Sequence, residues 1–143
     1  MQIRKMTAGD RQPVLDMMQT FYASEAVWTD GSPEIFREDV EQCVGGSPYL
    51  EGYILEENGE LLGYAMCAKS FSTEFGKPCL WIEDLYLKEE YRGQGLGVRF
   101  LEYIRECYPN HLHRLEVEED NVRALRAYEK SGFSQLPYVE MFR

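Results

Sequence analysis

The sequence predicts a mixed α/β fold, and three features predict it. Two alternating runs, residues 49–57 and 60–69, flank Asn58-Gly59, a pair suited to a two-residue hairpin because both residues tolerate positive φ. Apolar residues recur at helical spacing at Val14, Met17, Met18 and Phe21, and again at Phe36, Val40 and Val44. A third stretch, residues 81–97, runs from an apolar strand through a glycine-rich turn into a helix. Strands and helices interleaved in this way fit only a mixed α/β architecture.

Taken in order, residues 2–6 read as a first strand. Asp10 is placed to cap the next helix, and Pro13 falls in its first turn, where N–H groups have no partner to lose. Ser32-Pro33 starts a second helix as cap and first residue, and Gly45-Gly46 ends it. Gly52 and Gly63, inside the two hairpin strands, signal bulges or close approach of another backbone. Residues 70–78 read as a polar loop leading to a central strand from Leu80. Leu96, Phe100, Ile104 and Cys107 form one face of the helix after the glycine turn, and Pro109-Asn110 breaks the chain. Residues 114–118 read as a strand. Asp120 or Asn121 caps a helix with Ala124, Leu125 and Tyr128 on its inner face, and Ser131-Gly132 closes it with Phe133 packing behind. Residues 135–143 supply one or two last strands.

A length of 143 residues suits one domain, 1–143, with no repeat, linker or low-complexity tract. No stretch approaches the roughly 18–20 apolar residues of a membrane span, and the opening MQIRKMTAGD has no apolar signal core. With four cysteines scattered and no CxxC pair, the expectation is free thiols in the cytoplasm. His111 and His113 lack partners at zinc spacing, so no metal site is read. A net charge of −10 argues against nucleic acid or anionic membrane as partner and is compatible with a cationic substrate.

The chemistry concentrates in Trp81-Ile-Glu83-Asp84-Leu85-Tyr-Leu87-Lys-Glu-Glu-Tyr-Arg92-Gly93-Gln94-Gly95-Leu96-Gly97. Glu83 and Asp84 interrupt an apolar strand, an expensive place for charge unless a cavity opens there. The glycines beyond let a backbone approach a ligand closely at a helix N-terminus, where unpaired N–H groups favour phosphate oxygens. A dinucleotide fingerprint would need glycine at 98, where Val98 stands, and no Gly-Lys-Ser/Thr ends a nucleotide P-loop. What remains is Arg92-x-x-Gly95-x-Gly97, with an arginine able to grip phosphate bidentately.

That pattern after a Glu-Asp strand resembles the acetyl-CoA pyrophosphate loop of the GCN5-related N-acetyltransferases (GNAT). Asn121-x-x-Ala124-x-x-x-Tyr128-x-x-x-Gly132-Phe133 is similar to the last helix of the same family. Together the two cover about the C-terminal half of the chain. IEDLYLKEEYRGQGLG is most similar to the diamine, polyamine and related small-amine acetyltransferases, and the first half is only loosely alike. The resemblance implies a mostly antiparallel central sheet flanked by helices, acetyl-CoA as co-substrate, a small-molecule amine as acceptor, direct acetyl transfer and a homodimer. It implies that Arg92, Gly93, Gln94, Gly95, Leu96 and Gly97 cradle the pyrophosphate. The backbones of Leu85 and Leu87 would pair with the pantetheine amides, and Asn121 would contact that arm or a water beside it. Glu83 would be the base, working through water, and Tyr128 would sit at the thioester sulfur.

Elementary chemistry explains the need for such groups. An alkylammonium of pKa about 10.4 is neutral to about one part in 2,500 at pH 7, a deficit of roughly 4.6 kcal/mol. A carboxylate whose pKa is raised by burial helps remove that proton; Glu83 is the candidate and Asp84 the runner-up across the strand. Protonating a thiolate from a phenol is uphill by about 2 kcal/mol, so Tyr128 is expected to stabilise developing charge on sulfur by a hydrogen bond. Glu25, Asp30, Glu34, Glu38, Asp39 and Glu41 form an acidic group that, beyond solvating two helices, would attract a polycation. Rival readings are a protein lysine or N-terminus as acceptor, a non-catalytic acyl-CoA sensor, and a nucleotide-binding module using Glu116 on ribose, the last opposed by the glycine spacing.

Overall fold

In a computed structural model that describes all of residues 1–143, five strands form one sheet in the order β1-β2-β3-β4-β5. They are β1 (Gln2–Lys5), β2 (Leu50–Glu57), β3 (Glu60–Ser72), β4 (Lys77–Leu87) and β5 (Leu112–Leu115). The first four pair antiparallel and β5 joins β4 in parallel, so the sheet is mixed and mostly antiparallel, as expected. Four helices cover it: α1 (Arg11–Tyr22), α2 (Pro33–Val44), α3 (Leu96–Cys107) and α4 (Val122–Lys130).

Two apolar layers hold helices to the two sheet faces. Val14, Met17 and Met18 of α1 and Phe36 and Val40 of α2 pack on Ile54, Tyr64, Met66 and Tyr86. Leu96, Phe100, Leu101 and Ile104 of α3 pack on Tyr53, Leu55, Ala65, Leu80 and Ile82. Phe100 and Ile104 are fully buried, and burial of each such side chain contributes about 1.5–3 kcal/mol. The α3 stripe therefore ends at Ile104; Cys107, expected on the inner face, is exposed.

Local signals account for most element starts. Ser32 Oγ accepts from the Ile35 N–H at 3.2 Å with Pro33 at the first helical position, and the Asn121 side chain accepts from the Ala124 N–H at 3.2 Å. Asn58 and Gly59 take φ of 50° and 80° in the hairpin turn. Asp10 behaves differently from the expected α1 cap. Its carboxylate receives Arg4 Nη1 and Nη2 at 2.8 and 2.9 Å and the Thr7 N–H at 2.7 Å, closing a short 3₁₀ turn ahead of the helix.

Three expectations fail in the second half. Residues 70–78 are no loop: β3 runs to Ser72 and β4 starts at Lys77, with Phe71 opposite Pro78 and Ser72 opposite Lys77, so that only the turn at 73–76 separates the strands. The strand expected at 114–118 lies earlier, at Leu112–Leu115, since β4 offers it a partner only as far as Ile82. Residues 135–143 form no strand. The hairpin glycines mark close approach, and Gly63 also borders a bulge, since Leu55 opposes Gly63 and Glu56 opposes Leu61, leaving Leu62 opposite no residue of β2. A Cβ at Gly52 would lie 2.7 Å from the Met6 methyl, and one at Gly63 would run into the Tyr86 carbonyl oxygen.

The bulge that matters sits in β4. Met66 opposes Asp84 and Cys67 opposes Ile82, so Glu83 opposes no residue of β3. One unpaired residue reverses the alternation of the strand. Before it the even positions Leu80 and Ile82 face the α3 layer; after it the odd positions Leu85 and Leu87 do. Asp84 and Tyr86 turn instead toward the α1–α2 layer.

Candidate active site

Past the bulge the sheet opens. Pairing of β4 with β5 ends at Ile82–Leu115, leaving the rest of β4 with β3 as its one neighbour. In an antiparallel pair, alternate residues direct N–H and C=O toward and away from the partner. The bonds from Lys69 N–H to the Tyr49 oxygen and from Lys88 N–H to the Leu62 oxygen, each 2.9 Å, fix which residues do which. Tyr86 and Asp84 bond toward β3, and the peptide groups of Leu85 and Leu87 point into the opening. The Leu87 oxygen there accepts Arg92 Nε at 2.9 Å, which orients that guanidinium above the Tyr86 ring, 5.6 Å from its centre. A strand edge with free amides can bind another extended chain.

The opening leads to the glycine turn. Gly93 and Gly95 take φ of 78° and 76°, a region that costs a side-chain-bearing residue about 1–2 kcal/mol. The bond from Arg99 N–H to the Gly95 oxygen closes the first turn of α3, so the amides of Leu96, Gly97 and Val98 have no partner within the helix. A Cβ at Gly95 would meet nothing within 4 Å: the space in front of this amide cluster is open. At Gly93 a Cβ would lie 2.7 Å from Arg123 Nη2, so the first turn of α4 brings a second guanidinium to the loop. Sequence reasoning missed Arg123. Its one signal was a basic residue just inside the helix that also carries Asn121 and Tyr128. Anions are favoured here by helix start and cations alike.

Glu83 and Asp84, adjacent in sequence, differ in every other respect. Asp84 is 4% exposed, and both its oxygens are engaged by tyrosines, Tyr22 Oη at 2.9 Å and Tyr64 Oη at 2.7 Å. It is a satisfied internal carboxylate. Glu83 has no hydrogen bond or ion pair and remains open to solvent, yet its walls raise its pKa, first by burial and then by the charges of Asp84 and Glu140. An acid of raised pKa with a free carboxylate is a stronger proton acceptor than an ordinary surface glutamate. The runner-up base lacks that freedom.

Other carboxylates converge on this point. Asp39 of α2 is pushed up to about 6 by burial and by Asp84, Glu38 and Glu83. Glu116, just past β5, is pushed up to about 7 by Glu140 beside it, by burial and by Glu83. No lysine or arginine forms an ion pair with any of these groups. Of the acidic group expected around α1 and α2, only Asp39 joins them. Glu34 pairs with Arg37, Glu41 with Arg11, and Glu38 accepts from Gln42. Glu116 and Glu140 take the place of the rest; neither carries a local signature, because only the tertiary fold brings them to the bulge.

Tyr128 packs against the same α3-side layer as Leu85 and Leu87, its ring 6.1 Å from Phe133 and steeply inclined to it. Burial raises its pKa, and its hydroxyl has no partner in the protein. Asn121 uses its side-chain oxygen as the α4 cap, which leaves its NH₂ group as a donor.

The family model for the acetyltransferase (GNAT) family matches residues 14–133. The spermine/spermidine N(1)-acetyltransferase of Bacillus subtilis (strain 168) is 25% identical over 137 residues, spanning 92% of this chain and 86% of that protein. The thialysine N-epsilon-acetyltransferase of Bos taurus is 30% identical over 151 residues, spanning 96% and 86%. Among solved structures, a possible acetyltransferase from Clostridium difficile 630 superposes with a TM-score of 0.83 at 20% identity, covering 99% of this chain and 95% of that one. An aminoglycoside N-acetyltransferase in complex with CoA gives 0.81 at 13% identity, covering 99% and 93%. With its carboxylate bulge, sheet opening and glycine loop in this order along one strand and helix, and with the family model matched over residues 14–133, the chain is an N-acetyltransferase of the GNAT family.

Proposed function

We propose that this chain transfers an acetyl group from acetyl-CoA directly to a primary amine of a small cationic molecule, a diamine or polyamine being the best fit. The observation that carries this reading is the opening of β4 from β5 at a bulge bearing an unpaired Glu83, with further carboxylates around it and no cation among them. The amides at the start of α3, with Arg92, Gln94 and Arg123 beside them, bind the pyrophosphate. The outward peptide groups of Leu85 and Leu87 hold the pantetheine arm as an added strand, and Asn121 donates to it or to a water beside it. Open space at Gly95 and the free amides support that fit.

The acceptor enters as an ammonium, and Glu83 takes one proton from it, through water. The freed lone pair attacks the thioester carbonyl: a C–N bond forms, the C–S bond breaks, and the electron pair leaves on sulfur. Tyr128 donates a hydrogen bond to that sulfur, which a phenol of raised pKa does without giving up its proton. The nitrogen, which after C–N bond formation still carries one proton more than an amide, gives that proton up to the departing sulfur directly or through water, so that CoA leaves as the thiol, and Glu83 releases its own proton to solvent. The family resemblance further supports one domain over residues 1–143, working as a homodimer in the cytoplasm.

The test is a panel of amines with acetyl-CoA, read by free thiol release, beside calorimetry of acetyl-CoA on the native protein and on Gly95→Asp. Thiol release with diamines, and acetyl-CoA affinity reduced at least tenfold by Gly95→Asp in a folded protein, are expected. Release with peptide lysines alone, or unchanged affinity in the variant, would refute the reading.

A further inference from the structure

Asp84 is a buried charge that cannot touch the acceptor. It is 4% exposed, and one phenol meets each of its oxygens: Tyr64 Oη donates to Oδ2 at 2.7 Å and Tyr22 Oη to Oδ1 at 2.9 Å. One accepted bond per oxygen suits a carboxylate, since a protonated acid would spend one oxygen as a donor. Burial raises the pKa of Asp84, and the two phenols hold that rise down. The tyrosines come from separate elements, β3 and the end of α1, and both rings are packed. Tyr64 is fully buried with its ring 5.9 Å from that of Tyr86, and the Tyr22 ring lies 5.1 Å from Phe36 and 5.3 Å from Phe21.

A charge here is costly for the fold. No lysine or arginine pairs with Asp84, and an amide of the same shape would fill the position without taking an ion out of water. The charged groups around it do not offset it. Asp39 acts on it from α2, Glu83 adjoins it on β4, and Arg114 of β5 lies over the Trp81 ring, 4.5 Å from its centre. Glu116 and Glu140 bear on Glu83 and are acidic as well. What sets Asp84 apart is its place. It directly follows the residue that opposes nothing in β3, with the two Cα atoms about 3.8 Å apart. Pinning Asp84 to Tyr64 of the facing strand and to Tyr22 of the covering helix fixes the far end of the bulge, and with it the direction in which residue 83 leaves the sheet. A charge so near and so well shielded from solvent also acts on Glu83 with little screening.

Resting on the acetyl-transfer reading above, we infer that Asp84, clamped by Tyr22 and Tyr64, is a positioning residue for the base: it locks the bulge that presents Glu83 and keeps a fixed negative charge beside it, which makes Glu83 a stronger proton acceptor. Tyr22 and Tyr64 belong to the same device. Burial and the charge of Asp84 raise the pKa of both phenols, so they keep their protons and donate throughout the working range.

The experiment measures thiol release with one diamine from pH 4 to pH 10 in the native enzyme, in Asp84→Asn and Tyr22→Phe, and in each of these combined with Glu83→Gln. Asparagine keeps the shape and can bond both phenols, accepting from one and donating to the oxygen of the other, so only the charge is lost. With the negative neighbour gone, Glu83 holds its proton less tightly, and the acid limb of kcat/KM should move down by about one pH unit. The plateau should fall about threefold, as a weaker base predicts. Tyr22→Phe leaves the ring packed on Phe36 and removes one clamp, so kcat/KM should fall about threefold with the acceptor KM nearly kept. At its half-buried position this variant carries the test by itself should Asp84→Asn fail to fold. In the Glu83→Gln background both substitutions should change kcat/KM by less than about twofold, because they act through Glu83 alone. A merely structural role would cost the same in either background and leave the acid limb in place. An unmoved acid limb in Asp84→Asn, or losses that add fully to that of Glu83→Gln, overturns the inference and leaves acetyl transfer standing. A native enzyme that releases no thiol with any amine overturns both.

Discussion

Replacing Glu83 with glutamine tests the proposed mechanism most directly, because the substitution keeps size and shape and removes only the ability to take a proton. Glu83 makes no hydrogen bond or ion pair and opposes no residue of β3, so nothing in the fold depends on it. Removing its charge relieves Asp84 and Glu140, and the melting temperature should hold or rise. The catalytic cost follows from the acceptor. Without a base, the variant must draw on the amine that is already neutral, about one part in 2,500 at pH 7 for a pKa near 10.4. General bases contribute about 10²–10⁴-fold, so kcat/KM at pH 7 should fall by about that range. The deficit should also shrink nearly tenfold per pH unit as the neutral fraction grows toward the amine pKa. The native enzyme should instead lose activity on the acid side, as Glu83 protonates at its raised pKa. Thiol release measured from pH 4 to pH 10 with one diamine reads both limbs. A variant within about threefold of native at pH 7, or a deficit constant across the range, would refute Glu83 as the base.

Two further outcomes follow. Tyr128→Phe removes a hydroxyl with no partner in the protein; kcat should fall about 10²-fold with acetyl-CoA affinity nearly kept, and a kcat within about threefold of native would make Tyr128 a packing residue only. Asp10→Asn weakens the paired bonds from Arg4 in a nearly buried position, at a cost of about 2 kcal/mol, or roughly 6–8 °C in melting temperature. Because the Arg4 guanidinium holds the folded pKa of Asp10 below its ordinary value, that stabilisation is full above about pH 4. The gap between the two proteins should therefore close as pH falls through the depressed pKa, and a gap independent of pH would refute the assignment.

Legibility in the sequence followed the range of the interaction. Ser32-Pro33, Asn58-Gly59 and Asn121 specify their own turns and caps through neighbours a few residues away, and each stands where expected. The glycine loop was readable for the same reason, since positive φ at 93 and 95 restricts the residue itself. Register left weaker marks. The reversal of β4 could have been found in the step from Leu80 and Ile82 to Leu85 and Leu87, whose parity differs across Glu83-Asp84. The roles of Arg123, Glu116 and Glu140 were not legible, because each depends on where a distant element comes to rest. The final segment is a further miss: one or two strands are expected over residues 135–143, yet these residues pair with no strand of the sheet and are held by side-chain contacts such as Tyr138 to Glu74 instead.

The unpaired residue in β4 makes substitution and deletion at position 83 different kinds of event. A new side chain there inherits a place belonging to neither packing layer, so its chemistry can drift from one acid or amide to another at little structural cost. Losing the residue altogether would turn residues 84–87 over as a block, sending Tyr86 and Asp84 into the α3 layer and Leu85 and Leu87 toward the tyrosines. The letter at this position is therefore held by its chemistry and not by the fold, while the spacing around it is locked by both cores at once.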